Sequence, residues 1–80
     1  MKIYPEHKNN DKIIELLKRG NNLGTLTELA EERTTLKDLR VYLLDEEEEE
    51  LCDLILYDKE DREEYKGFEN DVLCNYRLIN

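Results

Sequence analysis

Eighty residues make one domain with a small core, since a chain of this length hides only about 60–65% of its extended surface. It is 41% charged and 39% hydrophobic with a formal charge of −9, which disfavours phosphate backbones and anionic lipid as ligands and favours basic partners. Full disorder is excluded because the apolar residues are clustered: Ile13-Ile14-Leu16-Leu17, Leu36-Leu39-Leu43-Leu44 and Leu51-Leu54-Ile55-Leu56 are segments able to build a core.

The elements follow in chain order. Met1–Tyr4 reads as a short strand or arm ended by Pro5, and Glu6–Asn10 as loop. A first helix is capped by Asn10, carries Ile13, Ile14 and Leu17 at helical spacing, and stops at Gly20 in a left-handed conformation after Lys18-Arg19. After the turn Asn21–Gly24, Thr25 or Thr27 caps a second short helix through Leu29, Ala30, Glu31 and Glu32. Thr34-Thr35 breaks it. Thr35 to Asp38 has the form of a capping box, with Asp where Glu is usual, and opens a third helix with Leu36, Leu39, Tyr42 and Leu43 on one face.

The run Asp45-Glu46-Glu47-Glu48-Glu49-Glu50 comes next. Inside one continuous helix its carboxylates repel at i,i+4 and crowd the negative end of the preceding segment. At the start of a new helix they face a positive terminus instead. This predicts a break near Asp45, with Asp45 as cap, and a fourth helix from Glu46 to about Tyr57; a strand over Leu51–Tyr57 is the competing reading. Asp58–Glu64 is read as helical, with Lys66-Gly67 as a helix end. Val72–Ile79 fits either a helix capped by Asp71 or a strand whose natural partner is Met1–Tyr4. The expected fold is therefore mainly α, a compact bundle of four to five short helices with a helix-turn-helix-like first half. The alternative is α+β, with a small sheet from Met1–Tyr4 and Val72–Ile79. Residues 1–80 form one domain without internal repeat or linker, in which a near-neutral helical half, 1–44, precedes a strongly acidic half, 45–80.

Residues 1–44 carry eight Lys and Arg against seven Asp and Glu, whereas residues 45–80 carry four against fourteen, so the second half alone holds −10. Six carboxylates along the run from Asp45 span roughly 9 Å of helix, close to the linear charge density of duplex DNA at about one charge per 1.7 Å. Asp53, Asp58, Glu60, Asp61, Glu63 and Glu64 extend that surface. The expected partner-binding residues are Glu46, Glu47, Glu48, Glu49, Glu50, Asp53, Asp58, Asp61 and Glu64, with Tyr57 and Tyr65 as partly apolar anchors. In general character such a chain resembles small phage-encoded DNA mimics, including some anti-restriction and anti-CRISPR proteins, although no motif carries the likeness. The want of a membrane-length apolar run or signal-peptide core gives a cytoplasmic expectation, and the resemblance implies a non-enzymatic inhibitor or modulator. It would bind a basic, nucleic-acid-binding protein and occlude its groove without touching nucleic acid itself.

Leu26–Glu32, between the first and third expected helices, resembles the scaffold helix of a helix-turn-helix, with Ala30 allowing close packing and Lys37 and Arg40 facing the groove. This implies the alternative function: a DNA-binding regulator or adaptor whose acidic half recruits a partner. A homodimer sharing an apolar stripe is a third possibility. His7 is the sole histidine, in a polar loop far in sequence from either cysteine, and no nucleophile–base pairing or Gly-rich phosphate loop is present. A general acid needs burial to raise its pKa, and these carboxylates lie in the most polar stretches of the chain. No catalytic residue, metal ligand or cofactor is assigned. Cys52 and Cys74 are read as buried free thiols. No run approaches the ~18 apolar residues of a membrane helix, and no signal-peptide core follows Lys2.

Overall fold

Alternation at both chain ends sets the floor of the molecule. In the computed structural model, which describes Met1–Asn80, β1 (Lys2–Tyr4) pairs antiparallel with β2 (Arg77–Ile79). Ile3 lies directly opposite Leu78, and both are fully buried, while Lys2, Tyr4 and Arg77 turn outward. The free edge of β2 is also occupied: Leu78 N–H donates to Thr34 O and Leu36 N–H to Tyr76 O, both at 2.9 Å. A two-stranded ribbon is marginal alone; here one edge is closed by backbone bonds and one face by helices.

Six helices and their connections make up the rest of the chain: α1 (Asn10–Gly20), α2 (Leu23–Glu31), α3 (Leu36–Leu39), α4 (Asp45–Ile55), α5 (Lys59–Glu64) and α6 (Glu69–Leu73), with a 3-10 turn at Arg40–Tyr42. α1 packs against β1, α2 and α4, while α2 lies on β2 and α6 on α3 and α4. The core is wholly apolar. Ile13, Leu16 and Leu17 of α1, Leu26 of α2, Leu36 and Leu39 of α3, Leu51 of α4 and Leu73 of α6 are buried to within 1%. Each such side chain contributes about 1.5–3 kcal/mol relative to exposure. The radius of gyration, 11.7 Å, is the roughly 12 Å of a compact chain of this length.

Mainly α with a small terminal sheet is thus the architecture, and several local expectations are corrected. Gly20 is not a left-handed stop; α1 runs through it and ends where Asn21 turns extended (φ −133°, ψ 145°) and sends its side-chain N–H to Leu17 O at 3.1 Å. A Cβ at Gly20 would lie 3.4 Å from a Glu47 carboxylate oxygen and 3.7 Å from Tyr42 O, ordinary contact distances, so neither crowding nor backbone angle demands glycine there. The residue before α1 is Asn9, and the Asn10 side chain instead accepts from Ile3 N–H at 2.7 Å, joining β1 to the helix. Asn22, not either threonine, caps α2 by accepting from Thr25 N–H at 2.7 Å.

Thr35 caps α3 as its sequence predicts, accepting from Asp38 N–H at 3.1 Å. The helix itself is a single α turn that tightens to 3-10 at Arg40, shorter than the Leu36–Leu43 helix expected. Residues 51–55 are helical, which removes the strand alternative there. Val72–Ile79 divides, with α6 ending at Leu73 and only Arg77–Ile79 extended. Cys74 is exposed and Cys52 half-buried, so neither is the buried thiol expected, and the two are unbonded.

Candidate functional site

α4 carries the acidic run, and its position resolves how so many carboxylates coexist. Leu44, not Asp45, is its N-cap. Leucine has no acceptor side chain, so the reciprocal half of a capping box does the work: the Glu47 carboxylate accepts from Leu44 N–H at 2.9 Å. Asp45, Glu46, Glu47 and Glu48 all fall in the first turn, where unsatisfied N–H groups and the helix dipole favour anions.

The run has two faces. On the inner one, Glu47 caps, Glu48 meets the Arg40 guanidinium at 3.5 Å, and Glu50 meets that of Arg19 at 2.9 Å. The Glu50 hydrogen bond holds the Arg19 proton more firmly than usual. All three acids are half-buried. On the outer face Asp45, Glu46, Glu49 and Asp53 are exposed; Asp45 and Glu46 are adjacent, and Glu49 and Asp53 follow at three- and four-residue steps, so the four lie along one side of the helix. Only Asp53 in that stripe approaches a cation, Arg62 at 4.0 Å. α5 continues the anionic surface with Glu60, Glu63 and Glu64 exposed; Asp58 caps it by accepting from Glu60 N–H at 3.1 Å.

Beside the stripe lies a shallow cluster of Arg40, Glu48, Cys52 and Glu69. Hydrogen bonds from its own backbone N–H and from that of Gly67, helped by Arg40, hold the Glu69 carboxyl below the usual range. Burial pushes the Cys52 thiol up. No three His, Cys, Asp or Glu side chains converge as a metal site.

The opposite end of α4 is held by the N-terminal loop. A helix that lacks a C-terminal glycine leaves carbonyls to satisfy, and three side chains do so. Asn9 Nδ2 donates to Leu54 O at 2.7 Å, His7 Nε2 to Ile55 O at 3.2 Å and Arg62 Nε to Leu56 O at 2.7 Å. Asn9 N–H in turn donates to His7 Nδ1 at 3.0 Å, which assigns the ring proton to Nε2. The imidazole stands edge-on between Tyr57 (5.7 Å, 83°) and Tyr76 (5.4 Å, 79°). Lys8 Nζ lies 4.1 Å above the Tyr57 ring. Together with Asp61, Tyr65, Asp71 and Val72 these groups line a cleft of about 630 Å³, the largest in the molecule.

The residues expected at the site are therefore divided by the fold. Glu46, Glu49, Asp53 and Glu64 are presented to solvent, while Glu47, Glu48, Glu50 and Asp58 are engaged in holding helices. Tyr57, Asp61 and Tyr65 are drawn together at the cleft. Arg40, expected to face a DNA groove, is tied to Glu48 and to the Asn70 side chain. Sequence reasoning passed over His7, Asp71 and Tyr76 as cleft residues. No local pattern marks them, because His7 reaches Ile55 across 48 residues. The chain matches no family model, no curated protein and no solved structure.

Proposed function

We propose that the protein is a non-enzymatic binder of a basic, nucleic-acid-binding protein. It presents α4 and α5 as a DNA-like anionic surface that occludes the partner's groove, in the manner of anti-restriction and anti-CRISPR mimics. The observation that supports the reading is the division of the acidic run: its inner carboxylates are engaged within the fold, Glu47 as a cap and Glu48 and Glu50 in ion pairs, and its outer stripe is left exposed. A solubilising surface needs only scattered charge, whereas these four carboxylates lie along roughly 12 Å of one helix side, about one per 4 Å, comparable to the one per about 3.4 Å of a single DNA strand. Association driven this way is fast and weakens with salt.

The test reverses exposed carboxylates that make no hydrogen bond or ion pair: Glu46→Lys, Glu49→Lys and Glu64→Lys in one variant. Surface changes at Glu49 and Glu64 cost about 0.5 kcal/mol or less each, and Glu46→Lys, in the first turn of α4, about 0.5–1 kcal/mol more through the helix dipole, so a circular-dichroism melt run beside the capture verifies that the variant is folded. Tagged wild type is expected to retain a basic nucleic-acid-handling protein from nuclease-treated lysate, displaced by added DNA, and the variant to lose at least about tenfold of it. Equal capture by both chains overturns the reading.

A further inference from the structure

The cleft at the end of α4 combines features that a merely solvated surface does not need. Its floor is apolar, from Ile55, Leu56 and Val72, and its walls are the rings of His7, Tyr57, Tyr65 and Tyr76. Asp61 and Asp71 lie at its lining, and neither belongs to any of the three ion pairs of the chain. Asp61 is half-buried. Tyrosine faces carry negative potential and attract cations, and an unpaired carboxylate beside them adds a directed acceptor. The molecule already uses one of these surfaces in this way, since the Lys8 ammonium sits 4.1 Å over Tyr57.

A volume of about 630 Å³ lies within the roughly 300–1,000 Å³ of small-ligand sites, enough for one long side chain with its adjoining peptide. Among cations, guanidinium fits this lining best. It is planar, stacks on phenol rings, sheds water more readily than ammonium and forks its N–H groups onto a carboxylate. Tyrosine and arginine are also the residues that concentrate binding energy at interfaces.

We infer that this cleft receives an arginine side chain of the basic partner, stacked on the tyrosine walls and paired with Asp61 and Asp71. The inference rests on the proposed function and names its anchor: α4 supplies diffuse attraction, and the cleft supplies the fixed point. Lys8 fills the cation position over Tyr57 in the free protein and is displaced on binding.

The full chain, labelled with ¹⁵N, is titrated with Nα-acetyl-arginine methylamide and with the corresponding citrulline compound, its neutral isostere. Octa-arginine serves as the multivalent probe. The arginine compound is expected to shift the amides around His7, Tyr57, Tyr65 and Tyr76 with saturable, millimolar affinity. The citrulline compound should bind at least about fivefold more weakly, and Asp61→Asn with Asp71→Asn should weaken arginine binding about fivefold. Lys8→Met, a change at an exposed side chain, should tighten it about twofold by removing the internal competitor.

Shifts that spread along α4 without saturating overturn the cleft assignment, as does an unchanged affinity in the Asn variants or in Lys8→Met. If octa-arginine binding falls on reversal of Glu46, Glu49 and Glu64 while the cleft amides stay still, the cleft inference fails and the acidic surface stands. If the arginine compound saturates the cleft and octa-arginine is indifferent to those reversals, the acidic-surface reading fails and the cleft stands.

Discussion

Arg33 is the one non-glycine residue with a left-handed backbone, φ +54°. It follows the cap of α2, where Thr34 N–H reaches back to Leu29 O and Arg33 N–H to Ala30 O, at 3.0 and 3.1 Å. That pattern is a Schellman end, a position glycine ordinarily fills because a Cβ crowds the following carbonyl. Partial compensation is visible: the Arg33 guanidinium lies 5.9 Å from the Tyr4 ring centroid, and Arg33 O accepts from Arg77 Nη1 at 2.9 Å. The second contact is backbone and survives substitution. Arg33→Gly is therefore expected to stabilise the fold by about 0.5 kcal/mol in denaturant unfolding; a loss would mean that the Tyr4 contact outweighs the backbone strain. The sequence conceals this site. Its glycines stand at positions 20, 24 and 67, and the helix break at Thr34-Thr35 leaves Arg33 unmarked.

At the scale of elements, α4 is the part that composition alone would condemn. Adjacent turns of glutamate repel, yet the helix starts on those residues, so the first-turn N–H groups and Arg19 and Arg40 offset the repulsion. The placement of a break before Asp45 was legible, since only a helix start suits such a run. The closure of the far end was not, because its partners Asn9 and His7 come from a loop that has no helical or strand signature. Asn9→Ala removes the donor to Leu54 O and leaves that carbonyl partly shielded from water. The expected cost is about 1–2 kcal/mol, with hydrogen exchange accelerated in the last turn of α4 more than in α1. Uniform acceleration across both helices would deny the loop a specific role as the clamp of α4.

For the whole molecule the balance is set by −9 formal charges on 80 residues against a small apolar core. The ion pairs are few and exposed or half-exposed, and pairs of that kind are each worth about 0–1 kcal/mol. Net self-repulsion therefore dominates the long-range electrostatics, and screening should favour the folded state. Raising sodium chloride from about 20 to about 300 mM is expected to raise Tm by a few degrees, the equivalent of about 1 kcal/mol or less for a domain of this size. A fall in Tm would show that the pairs of α4 with Arg19 and Arg40 outweigh the repulsion. The same salt that steadies the fold should weaken capture of a basic partner, so stability and binding are predicted to move in opposite directions.

The sequence by itself determined the helical character, the helix start at the acidic run and the cap at Thr35, and it offered the pairing of the chain ends as one of two readings of Val72–Ile79. Each depends on residues close in the chain or on a simple alternation of apolar and polar positions. Only the tertiary structure decided which carboxylates are spent inside the fold and which remain free, because Arg19 and Arg40 reach Glu50 and Glu48 through packing that no spacing encodes. It likewise decided that His7, Tyr57, Tyr65 and Tyr76 share one cleft. Their meeting follows from the closure of the termini into one ribbon and the docking of the N-terminal loop on the last turn of α4. Such contacts arise from the burial of apolar surface between distant segments, a force without direction or sequence register.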